Sequence, residues 1–437
     1  MAHRYRRGPV VFRLPMPARA AALAASVLAL VAAPAAQAAP DPLRSQQWNL
    51  NLVEADAAHA TATGAGAIVA VIDSGVLATH EDLQGRLLPG RDFIQDDATP
   101  QDGNGHGTHV TGIVVANKEN GTGVSSVAPG ATVLPLRVLD DEGGGESADI
   151  AAAVDYAVAH GANVINLSLG SDVPIVGAGG DEQMNAALGR AAAANVTIVA
   201  AAGNNSVPLC EQPSIAGRLL CVGAVDRGGN RSFYSSSAGP RGVMAPGGSG
   251  LPFTGEDVLS TYNDGKYQEI AGTSQATPHV SGVAALLVSL GLRGQAVADR
   301  ILATATDAGA AGPDDTYGAG IVNARAAVAG LAKPPDGGGT KGSAGVARVQ
   351  RIASVLKKGI RVSCVAPSAG RCTARVVAGS TTIATGSAPV KAGQRVTLVA
   401  RVTKAGRKRL ERGKRVNASA EIAIPGAATK VKSIVIR

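Results

Sequence analysis

Between residues 67 and 331, short and continuously apolar runs alternate with Ala-rich segments that have helical periodicity. The apolar runs, such as residues 67–73 and 163–170, have the composition and length of strands that are buried on both faces. Segments such as residues 149–161 and 184–196 are typical of the helices that connect parallel strands. We therefore predict an α/β fold with a doubly wound, mostly parallel sheet and functional loops at the carboxyl ends of its strands.

A second, smaller domain is predicted after a Pro- and Gly-rich linker at residues 332–346. From residue 347 to residue 437 the helical pattern disappears, and several segments alternate apolar and polar residues with period two. Segments of this kind, separated by Gly, Ser and Pro, are typical of a small antiparallel β-sandwich. A basic segment at residues 404–415 interrupts them and is interpreted as a short helix or a solvated loop.

The first 38 residues have the pattern of a secretory signal peptide. They contain five arginines and no acidic residue, then an apolar run at residues 20–33, and then Ala36-Gln37-Ala38, which predicts a cut near Ala38. A membrane anchor is the alternative, but the run is shorter than the roughly 20 apolar residues that cross a bilayer. We therefore expect a secreted, extracellular protein without a membrane span, whose first domain occupies residues 39–331.

The four cysteines fall into two close pairs, Cys210 with Cys221 and Cys364 with Cys372. In an exported protein such pairs predict disulfides, because an oxidising compartment preserves them. Zinc binding is the alternative, but neither pair has a CxxC spacing or nearby histidines.

The charge of the chain is unevenly distributed. From Lys341 onwards there are 21 Lys or Arg and two Glu, a net charge of +19, whereas residues 39–340 contain 15 basic and 31 acidic residues, a net charge of −16. The basic domain is expected to bind anionic cell-wall polymers or an acidic matrix, or the acidic domain itself, with a merely solubilising surface as the alternative. Nucleic acid is not an expected partner, because this domain has no aromatic residue for base stacking.

Three residues far apart in sequence have side chains suited to acyl transfer. Asp73 ends a buried strand, where it could also simply cap a turn. His106 lies in a Gly-rich loop before an apolar helix; a zinc-protease helix is disfavoured, because no glutamate lies between His106 and His109. Ser274 is expected at the start of a long helix, either as an N-cap or where the helix dipole favours developing negative charge, with Pro278 in the first turn.

The chain resembles the subtilisin-like serine peptidases over residues 41–331. The motifs VIDSG, GHGTHVTG and GTSQATPHVSG contain the three residues in the Asp, His, Ser order of that family. The resemblance implies a serine endopeptidase in which Ser274 attacks the scissile carbonyl, His106 takes and returns the proton, and Asp73 orients the ring. A fourth motif, AAAGNN, implies that the amide of Asn204 stabilises the oxyanion together with the N–H of Ser274.

The resemblance also implies a cleft for protein or peptide substrates. Its two S1 walls and the edge that pairs with an extended peptide correspond to Ser168, Leu169 and Gly170, to Ala201, Ala202 and Gly203, and to Gly143, Gly144 and Gly145. Glycines permit close backbone approach, so substrates are expected to bind by strand addition. Because no acidic residue interrupts either wall, we expect broad specificity with a preference for apolar P1 residues.

No cofactor is implied for the chemistry, and the protein is expected to be a monomer. A structural calcium site is implied at Asp82 and Asn120, because carboxylate and amide oxygens suit this cation, with a solvated turn as the alternative. The competing functional class is an inactive scaffold that binds peptides without cleaving them. The presence of Asp73, His106, Asn204 and Ser274 argues against it.

Overall fold

The computed structural model describes residues 39–169, 182–211, 219–252, 255–332, 343–347, 349–366, 370–379, 381–391, 394–413, 415–425 and 427–437. The predicted signal peptide, Gly170 and most of the predicted linker lie outside them. Below, residues 39–332 are called the α/β region and residues 343–437 the C-terminal β region. None of the helices in the described residues is both long and apolar enough to cross a membrane.

The α/β region is built on a seven-stranded sheet with parallel pairings throughout and the order β2-β3-β1-β4-β5-β6-β7. Its strands are β1 (Ile68–Asp73), β2 (Arg91–Asp92), β3 (Thr132–Arg137), β4 (Val164–Leu167), β5 (Thr197–Ala201), β6 (Leu219–Val225) and β7 (Val243–Pro246). A separate antiparallel hairpin follows, formed by β8 (Val258–Thr261) and β9 (Tyr267–Ile270).

Helices cover both faces of this sheet. They are α1 (Trp48–Leu52), α2 (Ala55–His59), α3 (His106–Val115), α4 (Ser147–Ala159), α5 (Glu182–Ala193), α6 (Thr273–Ser289), α7 (Gln295–Ala303) and α8 (Ala324–Val328). Val69 and Val71 of β1 lie in an apolar cluster with α3 and α6, whereas Ala70 and Ile72 lie in a second cluster with α4 and α5. The continuously apolar sequence of β1 thus reflects burial on both faces, and the predicted doubly wound α/β class is confirmed.

The C-terminal β region forms an eight-stranded sheet with the order β10-β12-β15-β14-β13-β16-β17-β11. Its elements are β10 (Ser343–Val346), β11 (Val349–Gln350), α9 (Ile352–Lys358), β12 (Ile360–Val365), β13 (Gly370–Ala378), β14 (Thr381–Val390), β15 (Arg395–Val402), α10 (Lys404–Arg412), β16 (Val416–Ile424) and β17 (Ala427–Ile436). Strand β15 pairs with β12 through residues 395–400 and with β14 through residues 401–402. It therefore joins two halves of the sheet, one with β10 and β12 and the other with β14, β13, β16, β17 and β11. One apolar cluster, with Ile360 from β12 and Ile422 from β16, is shared by the two halves, as in the predicted antiparallel sandwich.

Three details of the C-terminal β region differ from the sequence pattern or refine it. Strand β10 occupies the last residues of the predicted linker. Strand β14 is not predicted by the pattern, because Gly386 and Pro389 interrupt its apolar alternation. The basic segment at 404–415 forms α10, the first of the two interpretations.

Both predicted cysteine pairs form disulfides. Cys210 is bonded to Cys221 with a Cα–Cα distance of 6.3 Å, and Cys364 to Cys372 with a distance of 6.5 Å. Since Cys221 lies in β6, the first disulfide fastens the loop that follows β5 to the sheet.

Two buried histidines connect layers of the α/β region. Nε2 of His109 on α3 is 3.0 Å from the carbonyl oxygens of Val258 and of Gln268, which belong to the hairpin. His279 on α6 donates from Nδ1 to the carbonyl of Gln275 and accepts at Nε2 from the amide of Asn49 on α1. Burial lowers the pKa of His109 to about 3 and that of His279 to about 4. Both rings are therefore neutral at physiological pH.

We expect the free energy of unfolding to decrease as the pH falls from 7 to 5. The unfolded chain protonates these histidines near their ordinary pKa of 6.5, whereas the folded chain keeps them neutral. Each should contribute a loss on the order of 2 kcal/mol over this interval. Denaturant unfolding at pH 7, 6 and 5 measures this free energy. It should depend less steeply on pH in His279→Gln than in the parent protein. The exposed His160→Gln variant is the matched control, and a parent-like slope for His279→Gln would contradict the expectation.

Candidate active site

Asp73 and His106 meet at the carboxyl end of β1. The carboxylate of Asp73 is fully buried, and its Oδ1 lies 2.8 Å from Nδ1 of His106, whose side chain is 25% exposed. Burial by itself lowers the pKa of His106, but the charge and the hydrogen bond of Asp73 outweigh it and raise that pKa above its ordinary value. A proton held at Nδ1 leaves Nε2 of the neutral ring as an acceptor that can take a proton from another group.

The loop that carries His106 is held by a second buried carboxylate, that of Asp102. Oδ1 of Asp102 accepts from the N–H of Gly105 at 2.8 Å, and Oδ2 accepts from the N–H of Thr108 at 2.8 Å and from its hydroxyl at 2.6 Å. Ser74, next to Asp73, donates its hydroxyl to Asp102 at 2.9 Å and accepts from the N–H of Gly107. This network caps the first turn of α3 and fixes it to the end of β1.

Gly105 is the residue before α3, and its φ of 106° lies in the region that favours glycine. A Cβ atom at this position would collide with the ring of Tyr262. The hydroxyl of Tyr262 in turn donates to the carbonyl of Asn104 at 3.1 Å. Close packing of the tyrosine against the backbone therefore requires glycine at 105.

Ser274 is the second residue of α6 and exchanges hydrogen bonds with Ser168, which follows β4. The hydroxyl of Ser274 donates to the carbonyl of Ser168 at 3.2 Å, and the hydroxyl of Ser168 donates to the carbonyl of Ser274 at 2.7 Å. Pro278 is the sixth residue of the helix, so the prediction that it lies in the first turn is wrong, because α6 begins as early as Thr273. Since Pro278 has no N–H for the carbonyl of Ser274, the hydroxyl of Ser168 supplies the missing donor.

In this conformation the hydroxyl of Ser274 is bonded to Ser168 and not to His106. The structure thus brings Asp73 and His106 into contact and leaves the Ser274 hydroxyl on another partner. Rotation about χ1 moves Oγ among staggered positions without any change in the backbone, so the hydroxyl can exchange its acceptor at small cost.

Asn204 contacts the start of α6. Its Oδ1 accepts from the backbone N–H of Thr273 at 3.0 Å and from the hydroxyl of Thr273 at 2.9 Å. These two bonds orient the amide and leave Nδ2 without a hydrogen-bond partner among the described residues. The backbone N of Ser274 and Nδ2 of Asn204 lie 3.6 Å and 3.8 Å from the point that a Cβ at Gly272 would occupy. Two N–H groups therefore lie near the same point beside Gly272.

The predicted wall residues lie at the ends of two neighbouring strands, β4 and β5. Ser168 and Leu169 follow β4 directly, and Ala201 ends β5 before Ala202 and Gly203.

The predicted substrate-pairing edge lies between β3 and α4. Gly143 and Gly144 lie in a turn in which the N–H of Gly144 donates to Oδ1 of Asp140 at 2.7 Å, and Gly145 follows this turn. Asp140 thus fixes the backbone of this edge.

At the predicted calcium position, Asp82 and Asn120 contact each other directly. Oδ1 of Asp82 accepts from Nδ2 of Asn120 and Oδ2 from the N–H of Val124, both at 2.8 Å. Burial raises the pKa of Asp82. Oδ1 of Asn120 accepts from the N–H of Thr122, so the amide presents hydrogen rather than oxygen to the carboxylate. N–H groups of this loop thus satisfy the Asp82 carboxylate, and the carboxylate of Asp41 accepts from the N–H groups of Glu119 and Asn120 in the same loop.

Asp102 and Ser74 lie outside the residues for which the sequence motifs predict a role. A signal was present, since an aspartate shortly before a helix is a common source of capping hydrogen bonds. The pattern could not show that the same carboxylate would also bind Ser74, because that contact joins residues 28 positions apart.

Comparisons with known proteins match this architecture. A family model described as the Subtilase family matches residues 64–320. The chain is 38% identical over 285 residues to thermitase from Thermoactinomyces vulgaris, covering 65% of this chain and 96% of that protein. It is 37% identical over 287 residues to subtilisin DY from Bacillus licheniformis, covering 64% and 97%. The solved structure of a protease from Pseudoalteromonas arctica aligns with a TM-score of 0.59 and 32% identity, covering 67% of this chain and 99% of that one.

We expect Asp102→Ala to destabilise the fold by roughly 2–4 kcal/mol, because several capping donors around α3 lose a buried charged acceptor. At a temperature where the variant stays folded, kcat for peptide hydrolysis should fall more than KM rises, because His106 loses its fixed position. Denaturant unfolding and steady-state kinetics measure the two effects. Asp226→Ala, which removes similar turn bonds from a more exposed aspartate, is the matched control. Parental kcat in Asp102→Ala would contradict the assignment.

Proposed function

Because this chain belongs to the subtilase family and is a serine-type endopeptidase, we propose that it hydrolyses peptide bonds through Ser274, His106 and Asp73 by way of an acyl-enzyme. The observation that carries this proposal is the hydrogen bond between the buried Asp73 carboxylate and Nδ1 of His106. That bond fixes the tautomer in which Nε2 can act as a base. Proteins and peptides are the substrates, as in other members of the family.

In the proposed reaction the hydroxyl of Ser274 leaves the Ser168 carbonyl and turns towards Nε2 of His106. As Oγ attacks the scissile carbonyl, Nε2 takes its proton, and the buried carboxylate of Asp73 stabilises the imidazolium that forms. The imidazolium then returns the proton to the leaving amine, which departs and leaves an ester on Ser274. Water, deprotonated by His106, hydrolyses this ester and restores the enzyme.

Stabilisation of the tetrahedral oxyanion is assigned to Nδ2 of Asn204 and the N–H of Ser274. The support is geometric: Thr273 holds the oxygen of the Asn204 amide, so the unoccupied Nδ2 is directed beside the start of α6. The N–H of Ser274 lies in the first turn of that helix, where backbone donors have no partner within the helix and the dipole favours negative charge. Donors that are already oriented stabilise the transition state without reorganisation.

The substrate is proposed to lie as an extended strand against Gly143–Gly145, with its P1 side chain between the two walls. Leu169, Ala201 and Ala202 are apolar and buried, which supports the acceptance of apolar P1 residues. Specificity from wall contacts alone would be broad, because apolar contacts are not directional.

Secretion and the role of the C-terminal β region are also proposals. Export is supported by the two disulfides, since such bonds persist in oxidising compartments. We propose that residues 347–437 form a separate domain of a monomeric protein and bind anionic wall or matrix polymers. Helix α10 supports this, because it buries Gly406 and Leu410 and exposes its basic side chains.

The triad assignment predicts a reactive serine and a pH-dependent base. A fluorophosphonate should label the parent protein on Ser274, and Ser274→Ala should lower kcat/KM by at least about 10⁴-fold. Ser289→Ala, at the far end of α6, should behave as the parent. The value of kcat/KM should decrease as the pH is lowered, because protonated His106 cannot act as a base. The midpoint of this decrease should lie above 6.5, the ordinary pKa of histidine, because the pKa of His106 is raised. An unlabelled, folded parent protein would favour the peptide-binding scaffold instead.

Calcium at Asp82 and Asn120 stays a prediction of the resemblance, and in the structure N–H groups of the loop satisfy the Asp82 carboxylate without a metal ion. We therefore expect the melting temperature to be the same in EDTA and in calcium chloride. Differential scanning fluorimetry of the parent protein and of Asp82→Asn measures this directly. A fall in Tm on adding EDTA that calcium reverses in the parent, and that Asp82→Asn abolishes, would establish the metal site.

A further inference from the structure

Glu211 is a buried carboxylate that the proposed mechanism does not use. Its residue is 8% exposed and follows Cys210, whose disulfide to Cys221 fastens this segment to β6. The backbone N–H of Glu211 donates to the carbonyl of Ala202 at 2.9 Å, so its backbone runs directly alongside one predicted S1 wall.

The carboxylate itself packs against the next wall residue, Gly203. A Cβ atom at Gly203 would collide with Oε1 of Glu211, so this glycine, with a φ of 108°, leaves the space that the carboxylate occupies. Oε2 accepts from the side-chain amide of Asn205 at 2.8 Å, and Oε1 accepts from the hydroxyl of Ser236. The acidic group is thus held in one place behind the wall.

No Lys or Arg among the described residues forms an ion pair with Glu211, whose partners are neutral donors. A buried carboxylate without a cation carries a desolvation penalty that hydrogen bonds from neutral groups offset only in part. A cation that reached this position would be strongly favoured, because charges attract more strongly where water is excluded.

The position of Glu211 relative to the reacting groups identifies that cation. When Oγ of Ser274 attacks a carbonyl whose oxygen lies at Asn204, the P1 side chain begins one bond from the carbonyl carbon. It must then pass Gly203, the residue before Asn204, on one side and Ser168, which is bonded to Ser274, on the other. This path leads the end of a long P1 side chain past Gly203, the residue against which Glu211 packs.

We propose that Glu211 makes the S1 pocket select lysine or arginine at P1, an inference that rests on the triad and cleft of the proposed function. The methylene groups of either side chain pass along the apolar walls of Leu169 and Ala201, and the cationic end pairs with the carboxylate. This ranking differs from the apolar preference that the wall segments alone predict. The wall segments contain no acid, and Glu211, which packs against Gly203, comes from a different part of the sequence.

A purely structural role for Glu211 makes a different prediction. Its bond to Asn205 adjoins the oxyanion donor Asn204, so Glu211 could act only by positioning that loop. Loss of a positioning residue would lower the rate for every substrate alike. Loss of a specificity residue would lower it for cationic P1 residues alone.

The test measures kcat/KM on fluorogenic peptides that differ only at P1, with Lys, Arg, Leu or Phe, using the mature full-length protein. The parent should prefer Lys and Arg by about 10-fold or more, and Glu211→Gln should reduce cleavage of these two by about 10- to 100-fold while cleavage at Leu and Phe is retained. Glutamine keeps the size and an oxygen acceptor and removes only the charge. Asp299→Asn, on the exposed side of α7, controls for the change in net charge.

Binding of p-aminobenzamidine, a small cation, provides a readout without turnover. It should bind to Ser274→Ala and bind about 10-fold or more weakly to the double variant with Glu211→Gln. Three outcomes would overturn the inference: a parent that prefers Leu or Phe, an equal loss on all four peptides in Glu211→Gln, or equal binding of the cation to both variants. If the parent cleaves none of the peptides and is not labelled by a fluorophosphonate, the proposed function itself fails.

Discussion

The rest of the site depends on the hydrogen bond between Asp73 and His106. The Asp73 carboxylate is fully buried, and this bond gives it a partner that can carry a positive charge. A buried carboxylate is costly unless its surroundings compensate it, and here a ring that can become positively charged does so. The compensation works only if the ring cannot move away. The network of Asp102 and Ser74 prevents this by capping the helix that begins at His106 and joining it to the residue after Asp73. The structural bonds around the loop thus maintain the geometry that the chemistry needs.

The parallel sheet gives the remaining groups a common location. Strands β1, β4 and β5 are neighbours, and Asp73, Ser168 and Asn204 lie at or just beyond their carboxyl ends. Helix α6 begins at the same edge, and its first two residues are bonded to Asn204 and Ser168. The proline in the second turn of that helix has no N–H for the carbonyl of Ser274, which accepts instead from the hydroxyl of Ser168. Ser274, the proposed nucleophile, is therefore positioned by the strand end as well as by its own helix.

Buried polar groups in this protein differ in how fully hydrogen bonds and opposite charges offset the cost of their burial. This difference distinguishes groups that stabilise the fold from a group that we propose binds substrate. His109 and His279 stay neutral because burial depresses their pKa, and they act as hydrogen-bonding links between layers. Both carboxylate oxygens of Asp102 accept hydrogen bonds from protein donors, and these bonds stabilise the fold. Glu211 has only neutral partners among the described residues and packs against Gly203 of the proposed S1 wall, and for this reason we propose that a substrate cation pairs with it. Helix α10 shows the opposite arrangement, with its charges on the solvent side.

The sequence alone determined the α/β class, the β-rich C-terminal region, the cysteine pairs and the identity of the candidate site residues. Each of these follows from local information: continuous apolar runs, period-two alternation, short cysteine spacings, and motifs of a few residues. The sequence pattern does not predict strand β14, because Gly386 and Pro389 interrupt its alternation of apolar and polar residues. Only the tertiary structure decided that Asp102 and Ser74 hold the histidine loop and that Glu211 packs against Gly203, because these contacts depend on how the chain folds back on itself. Burial, which sets the pKa of a histidine and the strength of a charge, is likewise a property of the packed chain and cannot be read from any single motif.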